Sequence, residues 1–402
     1  TAGNTDGNGF GKFQYEPPSG FLALTSANLP DVTIGPDSAS QAEDHFDTQL
    51  WSGDSSSTRN IALYDFNPDW AWIKNRTGGN IHILEDTSRG VTSSINTALS
   101  TSSADKEGFG SSNTSSTVYG AVSAFISNGF TLKEGSTDAR YVNKTSNNYV
   151  GWAWKANGGT LTTNDASATG VGTIDSQYQA NTTAGFSIVT YTGTGSAGTI
   201  GHGLGKKPSH IAVKCRSNGG TAFQNYHSTE GATKYGSWYA NQAFTANSTR
   251  WNNTEPTTDV FSVGTHVGVN NSSSYTYVAY VFAEIEGFSK MGSYTGNGST
   301  SGDGTNVFLG FKPSWLLVKR ADGTAGWILW DNKRSTDNPT DDYLVPSSHI
   351  AETTNNSAQR IDLLSNGFKI KNTATSSSIN ASGGTYIYMA FAEQPFKFSN
   401  AR

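Results

Sequence analysis

The sequence predicts an all-β protein made of three tandem β-sandwich domains. Three observations lead to this prediction. One pattern of short apolar runs, bounded by Gly, Asn or Ser, occurs three times along the 402 residues. Only 15% of the residues are charged, and 45 are glycine, so strand and turn formers dominate over helix formers. The repeated pattern is about 100 residues long, which is the size of a domain and exceeds the roughly 20 to 50 residues of a solenoid repeat.

The first 44 residues form an N-terminal strand segment and a connector. Residues 9–21 carry aromatic and apolar side chains interrupted by Pro-Pro and Gly, enough for one strand and a turn but too few for a core. We therefore expect this segment to pack either on a later repeat or on a domain that precedes it. Residues 31–44 are rich in Asp and Ser, which is typical of a connector.

The repeat is defined by four landmarks that keep their order and their approximate spacing. The clearest copy runs from residue 186 to 284, the last third of the chain matches it well, and the first third matches it more loosely. The first landmark lies at residues 46–53, 186–193 and 288–296, and the second lies at 68–74, 208–214 and 313–319. The third lies at 127–130, 259–261 and 365–368, and the fourth lies at 149–154, 277–284 and 386–393.

These landmarks divide the chain into copy 1 (residues 45–157), a linker (158–185), copy 2 (186–287) and copy 3 (288–402). The linker is rich in Thr, Asn and Gly, and we expect it to add a strand to a neighbouring copy. No spare sequence separates copies 2 and 3, so these two should abut. We expect each copy to hold its own core, in an extended structural or adhesive chain that multiplies weak contacts.

The central strands of each copy are predicted from near-continuous apolar runs at 70–74, 210–214 and 315–319. Such runs are expected where a strand is covered on both faces. The closing runs at 277–282 and 386–391 are of the same kind.

Composition and motifs argue against several classes of function. The net charge is −5 and no basic stripe is present, so a nucleic-acid partner is not expected. No apolar run approaches the roughly 20 residues that span a bilayer. The single cysteine, Cys215, cannot form an intrachain disulfide, and its apolar neighbours predict a buried, unreactive thiol.

No catalytic or metal site emerges from the spacing of reactive residues. The seven histidines lack metal-ligand spacing, so neither a metal nor a cofactor is predicted. Glu284 and Glu393 occupy equivalent positions in different copies, which separates them too far for a glycosidase pair. We therefore expect the chain not to be an enzyme.

Five aromatic residues are the candidate ligand-binding or receptor-binding side chains. Trp238, Tyr239 and Trp251 lie in a polar loop of copy 2, and Trp327 and Trp330 lie in the corresponding region of copy 3. Exposed rings beside Asn and Ser could stack on sugars or contact a receptor. The alternative is that the loops fold back and bury these rings against a sheet or a neighbouring subunit.

Two stretches carry a resemblance to a known family. Residues 9–24 followed by Asn28-Leu-Pro30 resemble the closing segment of the SPRY or concanavalin-like domain in virion proteins of marine phages, especially those of cyanobacteria. Residues 179–193, 201–205 and Pro208 resemble the repeated module that follows it in those proteins. Jelly-roll or lectin-like sandwiches are therefore expected.

This resemblance implies a tail fibre or another appendage on the surface of the virion. The partners would be other virion proteins and a host-surface glycan or receptor, and the chain would form a homo-oligomer such as a trimer. Two alternatives stay open: a purely structural decoration protein of the capsid or tail, and a polysaccharide depolymerase. Only the last edge of the lectin-like domain is present, so no sugar site and no catalytic residue can be transferred from it.

Overall fold

The computed structural model describes residues 3–25, 28, 34, 40–91, 95–109, 115–271 and 273–395. Strands dominate this part of the chain, and every sheet is antiparallel, which confirms the all-β, sandwich-like prediction. The described α-helices have four residues each, and none has the length and hydropathy to cross a membrane. These helices are α1 (Ser116–Tyr119), α2 (Ala166–Thr169) and α3 (Ser248–Trp251), and single 3-10 turns occur at Ala42–Asp44 and Thr87–Arg89.

Copy 1 is a sandwich of a four-stranded main sheet and a three-stranded small sheet. Its strands are β1 (Phe46–Ser52), β2 (Thr58–Ile61), β3 (Trp70–Asn75), β4 (Ile83–Asp86), β5 (Ala121–Ile126), β6 (Gly129–Lys133) and β7 (Asn148–Trp154). The main sheet has the order β1-β7-β3-β4, and the small sheet has the order β2-β6-β5. The first and last strands of the copy therefore lie side by side.

The linker and copy 2 together form a six-stranded main sheet. Their strands are β8 (Thr162–Asn164), β9 (Ser176–Asn181), β10 (Phe186–Thr192), β11 (Gly198–Gly201), β12 (His210–Cys215), β13 (Gln224–His227), β14 (Lys234–Tyr235), β15 (Thr245–Ala246), β16 (Val260–Val263) and β17 (Thr276–Phe282). The main order is β13-β12-β17-β10-β9-β8, with β11-β16 and β14-β15 as small sheets. The expectation that the linker adds strands to a neighbour is confirmed.

Copy 3 repeats the arrangement of copy 1. Its strands are β18 (Ser289–Thr295), β19 (Asn306–Phe308), β20 (Phe311–Arg320), β21 (Trp327–Asp331), β22 (Ile361–Leu364), β23 (Gly367–Ile370) and β24 (Thr385–Pro395). The main sheet has the order β18-β24-β20-β21, and the small sheet has the order β19-β23-β22. One four-strand order thus recurs in all three main sheets, as the sequence repeats predict.

Each main sheet is apolar on both faces because alternate side chains of its strands pack on opposite sides. In β7, Tyr149 and Ala153 face the small sheet of copy 1, whereas Trp152 and Trp154 point the other way. In β17, Tyr277 and Val281 face the small sheet of copy 2. Successive strand residues point to opposite faces, so a strand that is buried twice reads as a continuous apolar run.

The second faces of the three main sheets meet in one shared core. Trp154, Phe282 and Phe391 occupy the same position in β7, β17 and β24. Their ring centroids form a triangle, 6.5 Å from Trp154 to Phe282, 5.6 Å from Trp154 to Phe391 and 5.9 Å from Phe282 to Phe391. A pseudo-threefold axis therefore passes through the centre of the chain.

This shared core corrects the expectation of an extended chain of separate domains. Copies 1 and 2 do have interiors of their own, but the core around the axis joins residues of all three copies. The physical reason is that a sheet with two apolar faces needs a cover on each. Here one cover is the small sheet of the same copy, and the other is the pair of neighbouring copies.

The N-terminal segment folds locally and keeps its apolar side chains exposed. Asn4 and Phe13 form an isolated bridge, and the Asp6 carboxylate accepts hydrogen bonds from the backbone N–H groups of Phe10 and Ala23, at 2.8 and 2.7 Å. Tyr15 and Phe21 are 78% and 70% exposed, so these two rings do not pack on a later repeat. Most of the predicted connector at residues 31–44 lies outside the described residues.

Candidate functional site

Two of the predicted binding residues, Trp238 and Trp327, are buried between copies. The Trp238 ring lies 4.9 Å from that of Phe223 and 5.4 Å from that of Trp72 in copy 1, measured between centroids. The Trp327 Nε1–H donates to the carbonyl of Ser237, in copy 2, at 2.7 Å. Both indoles therefore fill the space where one copy meets the next.

Trp251 and Trp330 are also buried, so the prediction of exposed rings is wrong for four of the five residues. Trp251 makes an edge contact with Tyr226 at 6.1 Å inside copy 2, and Trp330 Nε1–H donates to the Gln359 carbonyl at 3.2 Å. The alternative holds instead: the indoles turn inward, and Trp327 and Trp330 lie in strand β21, which is buried throughout.

Tyr239 is the one predicted residue that the structure leaves on the surface, with 46% of its area exposed. Within the three copies, Phe308 is a further exposed ring; it was not predicted and is 65% exposed. Its signal in the sequence is the alternation within β19, where Phe308 follows the buried Val307. The ammonium of Lys290 lies 5.7 Å from the centroid of the Phe308 ring.

Two of the joints between copies are held by an arginine–glutamate–arginine relay. At the joint of copies 1 and 2, one Glu107 oxygen accepts from Arg89 at 2.7 Å and from Arg216 at 3.0 Å. Glu352 plays the same part between copies 3 and 1. Its carboxylate pairs with Arg334 at 2.8 Å and with Arg76 at 2.8 Å.

One backbone contact is the same at all three joints. The N–H of Glu107 donates to the carbonyl of Arg216, and that of Glu352 donates to the carbonyl of Arg76, both at 2.9 Å. Between copies 2 and 3, the N–H of Phe244 donates to the carbonyl of Ala321 at 2.8 Å. Each copy thus bonds to the next through the same loop. The three copies therefore form a closed ring.

A second set of contacts follows the same cyclic order. The Asp86 carboxylate, in copy 1, accepts from the Tyr280 hydroxyl of copy 2 at 2.8 Å. The Asp331 carboxylate, in copy 3, accepts from Trp152 Nε1–H of copy 1 at 3.0 Å.

The equivalent residue in copy 2 is His227. Its Nε2 lies 3.1 Å from the Tyr388 carbonyl of copy 3. Burial lowers the pKa of His227 to about 4, against a smaller raising effect of that carbonyl. The ring is therefore neutral at pH 7.

Three equivalent lysines, Lys74, Lys214 and Lys319, are fully buried at these joints. The ammonium of Lys319 donates to the carbonyl of Arg320 at 2.6 Å and, across the joint, to that of Asn241 at 3.3 Å. Burial lowers the pKa of Lys74 to about 7 and that of the other two to about 8. Carbonyl acceptors surround these amines, so they act as internal cross-links between loops.

The two glutamates considered in the sequence have different partners. The Glu284 carboxylate accepts from the Met291 N–H at 2.9 Å, and Glu393 pairs with Lys312 at 2.6 Å. Cys215 is buried, as predicted. Within the described residues, no group of three His, Cys, Asp or Glu side chains could hold a metal ion.

Two polar clefts open on the outside of the ring. One, of about 300 Å³, lies on the sheet of copy 2 between Thr163, Gln177, Thr190 and Arg216. The other, of about 490 Å³, lies in copy 3 between the loop after β21 and the β22–β23 turn. These sizes are those of small-ligand sites, which usually fall between about 300 and 1,000 Å³. A third, apolar cleft of about 450 Å³ lies within the N-terminal segment, beside Tyr15 and Phe21.

Comparisons with known proteins give one match. No curated protein and no solved structure matches the chain. A family model, described as a domain of unknown function (DUF7483), matches residues 41–395 and so spans all three copies. The chain therefore belongs to the DUF7483 family.

Proposed function

We propose that this protein is a surface protein of a phage virion, a tail fibre or other appendage, that adheres to a glycan or receptor on the host. The resemblance of residues 9–24 and 179–208 to virion proteins of marine phages supports this role. The observation that carries the proposal is the chemistry of the open surface. Its two polar clefts are lined mainly by hydroxyl and amide side chains, and rings such as Tyr239 and Phe308 stand free near polar residues.

The closed ring suits adhesion in a way that differs from a flexible string of domains. The three copies present their outer surfaces at fixed distances, because all of them are anchored in one core. Weak contacts that are held at fixed distances reinforce one another when the target has matching spacing. Homo-oligomers of the chain would multiply these contacts further.

Binding to host cells tests the proposal. Fluorescently labelled protein would be added to cyanobacterial cells, before and after periodate oxidation of their surface sugars. We expect saturable binding to untreated cells and a large loss after oxidation. A protein that binds no cells tested, or that binds oxidised cells equally well, would contradict adhesion to a glycan.

The ring also favours a second candidate, a decoration protein with a structural role only. A pseudo-threefold chain can contact the subunits of a trimeric partner in three similar ways, which is the observation behind this candidate. Antibody labelling of virions separates the two roles. An antibody that coats this protein without slowing adsorption to the host would favour decoration, whereas one that blocks adsorption supports adhesion.

A further inference from the structure

We propose that the cleft in copy 3 is a binding site for a neutral sugar. This inference rests on the proposed adhesive function and assigns it to one place on the surface. The polar walls of the cleft include Asn332, Ser335, Thr336, Thr340, Ser365 and Asn366.

The first argument is that two residues lining the cleft each carry a buried side-chain oxygen without a hydrogen-bond partner. These oxygens are Asn332 Oδ1 and Thr340 Oγ1. The backbone of Thr340 is satisfied on both sides, since its N–H and carbonyl pair with Ile361 at 2.7 and 3.0 Å. The two side-chain oxygens are therefore the atoms that lack a hydrogen bond. Buried polar atoms without a partner are destabilising and rare. No residue described in the wall of the copy 2 cleft carries such an atom.

The second argument is that the cleft is held in shape by the protein itself. The Asn338 side-chain amide donates to the Leu363 carbonyl and accepts from the Leu363 N–H, both at 2.9 Å. This pair of bonds ties the loop after β21 to strand β22. A ligand would therefore meet a formed site and would lose less affinity to ordering the loop.

The third argument is the charge of the lining. Lys312 is the only cation among the lining residues, and Glu393 already pairs with it. The single acidic residue of the lining is Asp337, which is exposed. This balance suits neither a phosphate nor a metal ion. The remaining hydroxyl and amide groups donate and accept hydrogen bonds in the way that the hydroxyls of a neutral sugar require.

The fourth argument is an exposed ring at the end of the strand that borders the cleft wall. The N–H groups of Leu309 and Gly310 donate to the carbonyl of Asn366, at 2.9 and 3.2 Å, so the end of β19 borders the cleft wall. Phe308 stands at that end and is 65% exposed. An aromatic face next to polar groups allows a sugar to stack its apolar side while its hydroxyls are bonded.

Binding of defined sugars to variants of the full chain tests the site. The probes are glucose, galactose, mannose, rhamnose and N-acetylglucosamine and their common disaccharides, measured by saturation-transfer NMR and titration calorimetry. We expect at least one of them to bind, and Thr340→Val and Phe308→Ala each to weaken it by about tenfold, the size expected for one lost contact.

Thr48→Val is the matched control. Thr48 Oγ1 is also buried without a partner, but it lies in β1 of copy 1, away from the cleft. Neither Thr→Val change breaks a hydrogen bond within the protein, so both variants should keep or raise the Tm. Thr48→Val should retain full affinity for the sugar.

The possible results separate this inference from the proposed function. Absence of binding by every probe, or unchanged affinity in both Thr340→Val and Phe308→Ala, overturns the site. If the wild type binds cells through glycans and Thr340→Val binds them equally well, adhesion stands and the site in copy 3 is wrong. Binding of a sugar that Thr340→Val weakens, in a protein that binds no cells, supports the site and contradicts adhesion.

Discussion

The joint between copies 2 and 3 differs from the other two joints, although its backbone contacts are the same. At the joints of copies 1 and 2 and of copies 3 and 1, a loop glutamate bridges two arginines. Between copies 2 and 3 the equivalent residues are Glu230, Phe244 and Ala321. Phe244 and Ala321 are buried in the shared core, and Glu230 pairs instead with Lys234.

The glutamate and its two arginines are present together at two joints and absent together at the third. A buried charge is tolerated when its partners are present and is strongly destabilising when one of them is missing. We call the arginine that lies in the same copy as the glutamate (Arg89 or Arg334) the inner arginine and the one in the neighbouring copy (Arg216 or Arg76) the outer arginine. The joint between copies 2 and 3 lacks the inner arginine, and it also lacks the glutamate and the outer arginine. The neighbouring contact changes too, since His227, neutral at pH 7, stands where the other copies have Asp86 and Asp331.

The largest effect is expected when one relay loses its inner arginine. Arg334 and Asp331 have fully buried side chains with Nε and Oδ2 2.6 Å apart. Arg334→Leu leaves Asp331 and Glu352 without this cation, so the free energy of unfolding should fall by about 3–5 kcal/mol. Urea denaturation measures this change.

The control for Arg334→Leu is its exposed neighbour, Lys333. Lys333→Leu removes the same charge at the surface and should change stability by less than about 0.5 kcal/mol. If Arg334→Leu costs no more than Lys333→Leu, the relay does not hold the joint.

The second prediction converts the apolar joint into an ionic one. Phe244→Glu places a carboxylate at a site that is 6% exposed and has no arginine opposite, so it should cost about 3 kcal/mol. Adding Ala321→Arg supplies the outer partner and should restore at least about 1 kcal/mol.

A double-mutant cycle under the same urea conditions gives the coupling energy between positions 244 and 321. A coupling near zero would mean that the joint between copies 2 and 3 positions its side chains differently from the other two, in spite of the shared backbone bond.

The sequence predicted the strands well because the repeat landmarks mark packing positions. The Tyr-Thr-Gly landmark of copy 2 is an example. Tyr191 stacks on Tyr277 with centroids 5.1 Å apart and donates to the Val269 carbonyl, and Tyr294 stacks on Tyr386 in the same way in copy 3. A position that has the same contacts in each copy keeps the same kind of residue.

The shared core could not be predicted, because an apolar face of a sheet predicts that the face is buried but does not identify the element that covers it. The runs at 70–74 and 210–214 would look the same under a second small sheet or under a neighbouring copy. Trp238 was misplaced for a related reason. The loop around it is polar and exposed at residues such as Tyr239 and Asn241, whereas the indole turns inward, toward Trp72. The composition of a loop reflects most of its residues, and it does not reveal a single side chain that is buried against a neighbouring copy.

The third prediction concerns pH and the histidine that distinguishes the apolar joint. The folded protein holds the pKa of His227 at about 4, whereas an unfolded chain has about 6.5. Between these values the unfolded state binds a proton that the folded state refuses, so stability falls as the pH drops from 6.5 to 4. Between pH 7 and 4.5, the titration of His227 lowers the free energy of unfolding by about 2–3 kcal/mol.

The variant His227→Gln isolates this effect from that of other histidines with lowered pKa values, such as His45 and His202. Glutamine can still donate to the Tyr388 carbonyl but does not titrate. Its stability measured at pH 7 and at pH 4.5 should differ by about 2–3 kcal/mol less than that of the wild type. An equal difference in both proteins would show that His227 does not titrate in this range.

The smallest effect concerns the Tyr280 hydroxyl at the joint between copies 1 and 2. Tyr280→Phe removes the donor to Asp86 between copies 1 and 2, which leaves a buried carboxylate with one bond fewer and should cost about 1–2 kcal/mol. Tyr388→Phe is the control, because the Tyr388 ring packs on Phe368 inside copy 3, with centroids 5.6 Å apart. Its contact to His227 across the joint is made by the main-chain carbonyl, which the substitution keeps, so the cost should stay below about 0.5 kcal/mol. Thermal unfolding of both variants beside the wild type measures the difference. Equal losses would mean that the hydrogen bond from Tyr280 to Asp86 adds nothing to the joint between copies 1 and 2.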